Sequence, residues 1–146
     1  MRYVTLGLLV LLAACGGNSS DAYYDDLGEI MTTVSTSANT LVRLITDVEA
    51  RPALASTSDW QRDMGQVADT LVGARDRLRR MTPPAEASSM HTSALRAIEC
   101  LADGVGKLRD GYQSNDRLAV MSASQLLADC SDLWGDAKRE LDAMPR

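Results

Sequence analysis

The sequence contains no phenylalanine and only one histidine, and aromatic residues make up 4% of its 146 positions. Because β-sheets are enriched in aromatic side chains, this scarcity favours helices over strands. Proline is confined to four positions, which leaves long segments without a helix breaker. A single histidine cannot form the Glu-x-x-His pairs of di-metal four-helix bundles. The sequence also lacks a phosphate-binding loop and a catalytic constellation, so we expect a protein that is not an enzyme.

The sequence lacks a hydrophobic run long enough to cross a membrane. The apolar stretch at 4–14 is interrupted by Thr5 and Gly7, and a spanning helix needs about 20 residues. Arg2 precedes this stretch and is the only charge before Asp21. A positive start followed by a short apolar run is typical of a secretory signal peptide, which is removed from the mature protein.

The apolar run ends in the sequence Leu12-Ala13-Ala14-Cys15. This motif resembles the lipobox of bacterial lipoprotein precursors, which consists of leucine, two small residues and cysteine. The resemblance implies cleavage after residue 14, which removes 1–14 as the signal peptide. It also implies that Cys15 is the lipid attachment site and the new N-terminus. The alternative is an ordinary secretory signal peptide in which the cysteine occurs by chance.

The same resemblance predicts where the mature protein resides. It implies a lipid anchor in the bacterial cell envelope, with the protein facing the periplasm. The residue after Cys15 is Gly16, whereas aspartate there is the usual inner-membrane retention signal in Gram-negative members of the family. The outer membrane is therefore favoured over the inner one. Residues 15–20 are predicted to be a flexible tether that reaches roughly 12 Å, so the folded part lies close to the lipid.

The charge balance limits the class of partner. The chain carries a formal net charge of −5, which becomes −6 when Arg2 is removed with the signal peptide. An acidic protein is repelled by anionic lipid and by nucleic acid, so we expect no nucleic-acid partner. We expect contact with the membrane to be made through the lipid on Cys15, and a protein partner to be met at the membrane surface.

The remainder, 21–146, divides into four amphipathic segments at about 21–50, 58–81, 84–112 and 115–143. Apolar residues recur in each segment at alternating steps of three and four, which is the helical period. In the first segment the repeat is Leu27, Val34, Leu41 and Val48, with Ile30 and Leu44 on the same side. Short connections between helices of similar length predict an all-α, up-down-up-down four-helix bundle. They argue against the alternative of a long coiled coil formed by oligomerisation.

Local signals predict the helix ends. Ser58 and Gln61 form a capping-box pattern at the start of the second helix. Pro84 is predicted to open the third helix from its first turn, and Ser114 and Asn115 to form the turn and cap before the fourth.

Cys100 and Cys130 remain after Cys15 is assigned to lipid attachment. They are equally distant from the predicted turn at 114–115, so they should lie at one height in the antiparallel hairpin. In an oxidising compartment this placement predicts a disulfide. Cys100 lies one residue away from the apolar stripe, at Leu101, so two buried free thiols are the alternative.

His91 lies on the apolar stripe of the third helix. The plain interpretation is a core histidine near the end of the bundle, hydrogen-bonded to a neighbour, and counting positions along the helices suggests Asp76 as that neighbour. The alternative function is a periplasmic haem- or metal-binding bundle, in which His91 and Met31 at a similar height would be the haem ligands. The chain contains seven methionines, so a methionine at the height of His91 is a common coincidence. We therefore expect no bound cofactor.

The run of arginines from Arg75 to Arg80 ends the second helix, where positive charge complements the helix dipole. We interpret it as a solvated face, and an anionic partner is the alternative. The sequence as a whole favours a membrane-anchored helical module that binds a partner or acts as a scaffold.

Overall fold

The computed structural model describes residues 19–143, and within this range the chain is helical and contains no strand. The four α-helices and two intervening 3-10 helices follow the chain in the order α1 (Ser19–Ala50), Pro52–Ser56, α2 (Ser58–Arg80), Ala85–Ala87, α3 (Ser88–Gln113) and α4 (Arg117–Asp142). The predicted all-α four-helix bundle is thereby confirmed. Consecutive helices pack against each other, as short connections require.

The apolar stripes predicted from the sequence form the core. In α2 the side chains of Trp60, Met64, Val67, Leu71, Ala74 and Leu78 are all buried. In α4 the buried set is narrower and consists of Ala123, Leu127, Cys130, Trp134 and Ala137. This difference means that α4 contributes one row of side chains to the core, mainly against α3.

The turn between α3 and α4 closes a tight helical hairpin. Asn115 has a φ of 53°, in the left-handed region that asparagine tolerates better than most residues. The amide of Asp116 donates to Gly111 O at 2.9 Å and the amide of Asn115 donates to Tyr112 O at 3.2 Å, which is a Schellman motif. The Asp116 carboxylate then caps α4 by accepting from the amides of Leu118 and Ala119.

Helices α3 and α4 approach closely because α3 presents glycine at two contact points. A Cβ atom added to Gly104 would lie 2.7 Å from Leu127 Cδ2, and one added to Gly111 would lie 3.0 Å from the backbone nitrogen of Val120. Between these helices Cys100 and Cys130 form a disulfide with a Cα–Cα distance of 5.4 Å. The prediction of a disulfide from distances to the turn is confirmed in the structure.

Several predicted helix boundaries need correction. Helix α1 begins at Ser19 and not at Asp21, so the last two residues of the predicted tether are helical; serines followed by Asp21 suit a first turn. The rest of the tether lies outside the described residues. The cap of α2 is Thr57, whose Oγ1 accepts from Trp60 N, and not Ser58.

The starts of α3 and α4 also differ from prediction. Pro84 is extended, with a ψ of 157°, and a 3-10 turn separates it from α3. The α4 cap is Asp116, one residue after the predicted pair, because Asn115 is occupied by the left-handed turn position.

Replacing both Cys100 and Cys130 by serine should lower the free energy of unfolding by about 3–4 kcal/mol. The bridge spans 30 positions, and closing a loop of that length restricts the unfolded chain by about this amount. Urea denaturation of the oxidised protein and the double variant measures the difference. Equal midpoints would contradict a stabilising role for the bridge.

Gly104→Ala should destabilise the fold by about 1–3 kcal/mol, because the added methyl group overlaps Leu127. Gly106→Ala is the matched control on the same helix, since nothing lies within 4 Å of its added Cβ. That variant should stabilise α3 by about 0.5–1 kcal/mol through helix propensity alone. Shifts of the same sign in thermal denaturation would contradict the close approach of α3 and α4.

Candidate functional site

The two ends of the bundle have different compositions. We call the end at Ser19, Arg80, Ser88 and Asp142 the proximal end, since α1 begins there, and the opposite end the distal end. At the proximal end two arginines of α2 form ion pairs with acidic side chains of α1 and α3. Arg77 pairs with Asp26 and Glu29, and Arg79 pairs with Glu99 at 2.5 Å. These ion pairs are largely exposed, which agrees with the interpretation of the arginine run as a solvated face.

His91 shares a hydrogen bond with Tyr23, with 3.1 Å between His91 Nδ1 and Tyr23 Oη. Both side chains are buried, and Tyr24 stacks edge-on against Tyr23. Burial lowers the pKa of His91. It also raises the pKa of Tyr23 to about 12, with a smaller contribution from Tyr24. Both groups are therefore neutral near pH 7, and the pair joins α1 to α3.

This geometry corrects two expectations about His91. Its partner is Tyr23 and not Asp76, whose carboxylate is engaged by Arg75 Nε at 2.9 Å. Met31 does not share the height of His91, because it lies eight residues beyond Tyr23, or about 12 Å along α1. The structure therefore does not bring the suggested haem ligands together. Within residues 19–143 no group of three or more histidine, cysteine or acidic side chains is placed to hold a metal ion.

Cys15, the predicted lipid attachment site, lies outside the described residues. None of the helices in the described part of the chain combines the length and apolar character needed to cross a bilayer.

A polar groove lies between α1 and α2, and we call it the threonine groove. It has a volume of about 490 Å³. It is lined by Thr32, Thr33, Thr36, Ser37, Thr40, Arg43, Asp63, Gln66, Val67 and Thr70. Nine of these ten side chains are polar, which is unusual for the contact zone between two helices of a bundle.

The floor of the threonine groove contains Ser37, whose exposed fraction is only 7%. Within the described part of the chain the Ser37 hydroxyl has no hydrogen-bond partner. Every fully enclosed polar side-chain atom in that part has a partner, so the Ser37 hydroxyl is not fully enclosed. The Ser37 hydroxyl therefore opens into the groove. A hydroxyl that makes no bond within the protein and faces a cavity is free to bond water or a ligand there.

Sequence reasoning missed this groove, although a signal was present. Ile30 and Leu44 lie on one apolar row, and Ser37 is the residue seven positions from each. A serine in the middle of an apolar heptad row marks the point where the core gives way to a polar surface.

A second cavity of about 440 Å³ lies at the distal end, between the 3-10 helix at Pro52–Ser56 and the α3–α4 turn. Polar groups there serve the local structure: Asp116 caps α4, and Gln61 Nε2 donates to Ala55 O. The threonine groove is therefore the stronger candidate for a binding site. Comparison of the chain with protein-family models, curated proteins and solved structures finds no match.

The buried His91 should make stability fall as the pH is lowered. Its pKa is lowered in the folded state, so below its unfolded value of about 6.5 the unfolded chain takes up a proton that the folded chain does not. The stabilisation is complete above this pH and is lost as the pH falls through the folded pKa. Because His91 is the only histidine, the NMR signal of its Hε1 proton reports this pKa without overlap from other histidines.

The control is His91→Gln, which should show a flatter dependence of the thermal midpoint between pH 7.5 and pH 5.5. A His91 titration midpoint at or above the ordinary histidine value would show that the imidazole is not buried as described.

Proposed function

We propose that this chain is a lipid-anchored binding protein of the bacterial cell envelope, held to the membrane by Cys15, with the threonine groove as its binding surface. The observation that carries the binding role is Ser37, which lies 7% exposed in a polar groove and whose hydroxyl has no hydrogen-bond partner within the described residues. Binding surfaces combine a concave shape with a few polar groups that remain free to bond a ligand.

The lipobox-like motif and the disulfide support the envelope location independently. Disulfides form and persist in exported proteins and are rare in the reducing cytosol. The Cys100–Cys130 bridge therefore agrees with a chain that leaves the cytoplasm behind a signal peptide. With those two cysteines paired, Cys15 is the one cysteine left for acylation.

The position of α1 sets the distance of the bundle from the membrane. Three residues separate Cys15 from Ser19, where α1 begins, and the four steps from Cα to Cα span at most about 14 Å. The proximal end would therefore face the lipid. Thr36 lies 17 residues into α1, or about 25 Å along the helix axis. The groove would thus open sideways, above the lipid headgroups, where a ligand in the periplasm can reach it.

Acylation can be tested by growing bacteria that express the full chain with an alkyne-tagged palmitate. We expect the label on the chain and the chain in the membrane fraction, because two acyl chains anchor stably where one does not. Cys15→Ser should lose the label and remain as the uncleaved precursor. The Cys100→Ser, Cys130→Ser double variant is the matched control and should keep the label.

An unlabelled wild-type chain, or a mature chain that begins downstream of Cys15, would show that the N-terminal segment is an ordinary signal peptide. Label that persists in Cys15→Ser would place the acyl group elsewhere.

A further inference from the structure

The threonine groove offers acceptors along its rim. Thr32, Thr36 and Thr40 each donate their hydroxyl hydrogen to the backbone carbonyl four residues earlier, at 2.9–3.1 Å. Thr70 on α2 does the same toward Gln66 O at 2.7 Å. With their hydrogens used inside the helices, these hydroxyl oxygens present lone pairs to the groove.

The groove offers donors on its floor and side. Within residues 19–143 the hydroxyls of Thr33 and Ser37 and the side-chain amide of Gln66 make no hydrogen bond, and all three line the groove. A hydroxyl with a free hydrogen both donates and accepts, and an amide nitrogen donates two hydrogens. Donors therefore lie within one cavity beside the acceptors of Thr32, Thr36 and Thr40. A ligand that matches this lining must itself both donate and accept at several points.

The charges of the lining disfavour an ionic ligand. Arg43 and Asp63 are the charged members, and their formal charges cancel. Each already has a partner, since Arg43 lies 3.8 Å from Asp47 and Asp63 accepts from Arg62 at 3.2 Å. An anion would gain little from Arg43 and would be repelled by Asp63. The lining is therefore matched to a neutral molecule.

The size and the apolar parts of the lining fit a ring-shaped polar molecule. The volume of about 490 Å³ lies in the lower part of the range for small-molecule sites. The threonine methyl groups and Val67 supply apolar contacts between the hydroxyls. Sugars have this mixed character, with hydroxyls around the ring edge and C–H groups on its faces.

We propose that the threonine groove binds a neutral sugar residue, either as a free saccharide or as a unit of a longer glycan. The Ser37 and Thr33 hydroxyls bond the ring substituents at the floor, and the rim threonines accept from the outer hydroxyls. This inference rests on the proposed role of the groove as the binding surface, but it does not depend on the lipid anchor.

The test is an NMR titration of the purified full chain in a zwitterionic detergent that has no sugar headgroup. The neutral probes are glucose, N-acetylglucosamine and the trimer of N-acetylglucosamine. Their anionic counterparts are glucuronate and glucose 6-phosphate. We expect the neutral monosaccharides to shift the signals of groove residues with millimolar dissociation constants, as suits small polar ligands. Tighter binding of the trimer would identify a glycan chain as the source, and equal binding a free sugar.

Ser37→Ala tests the central contact and should weaken binding about five- to tenfold, which corresponds to one lost hydrogen bond. Alanine is a better helix former than serine, so the thermal midpoint of the variant should be no lower than that of the wild type. The matched control is Ser35→Ala on the same helix, which is outside the groove lining and should bind like the wild type. Gln66→Leu should weaken binding as well, whereas Gln125→Leu on α4 should not.

Three results would overturn the inference: no shift of groove signals with any neutral sugar, equal affinity in Ser37→Ala and wild type, or tighter binding of the anionic sugars. Each would do so whether or not Cys15 is acylated. Failed acylation, in turn, would remove the anchored-protein proposal and leave the sugar titration intact.

Discussion

The closure of α3 on α4 is the constraint on which the rest of the bundle depends. Three features act on the same pair of helices: the Schellman turn at Asn115, the close approach at Gly104 and Gly111, and the Cys100–Cys130 bridge. Each of them limits the hairpin to one register, because shifting either helix along the other would break the turn or overlap Leu127. Helix α3 also contributes more buried residues than any other helix in the described range, so α1 and α2 pack on a fixed surface.

Helix α1 is joined to its neighbours by specific polar contacts near both ends. At the distal end Trp60 Nε1 donates to Leu44 O at 3.1 Å, and the Trp60 ring packs edge-on against Tyr112 on α3. At the proximal end Tyr23 bonds His91. Between these contacts α1 carries Ser37 in its buried row and threonines beside that row. The ends are thus fixed while the middle of the α1–α2 contact stays open, which is the physical origin of the threonine groove.

Periodicity and distance from the turn were sufficient to predict the helices, the core stripes and the Cys100–Cys130 pair. These features depend only on how far along its helix each residue lies, and residue numbers give that distance directly. The partner of His91 was predicted wrongly because it depends on the rotation of each helix about its axis, which counting positions does not determine. The capping residues were missed by one position because adjacent polar residues, Thr57 with Ser58 and Asn115 with Asp116, suit the same role. The groove was not predicted because it depends on a single polar residue, Ser37, in an otherwise apolar row, and the periodicity of the row is unchanged by one such exception.

Hydrogen–deuterium exchange on the full chain, oxidised and then reduced, tests the dependence of the bundle on the α3–α4 hairpin most directly. In the oxidised protein we expect the slowest exchange in the middle of α3 and α4, around Cys100 and Cys130, and faster exchange in the segment of α1 that lines the groove. Reduction should speed exchange in all four helices, because α1 and α2 pack on the hairpin. Slowest exchange in α1, or a change on reduction confined to the residues beside the bridge, would contradict this account.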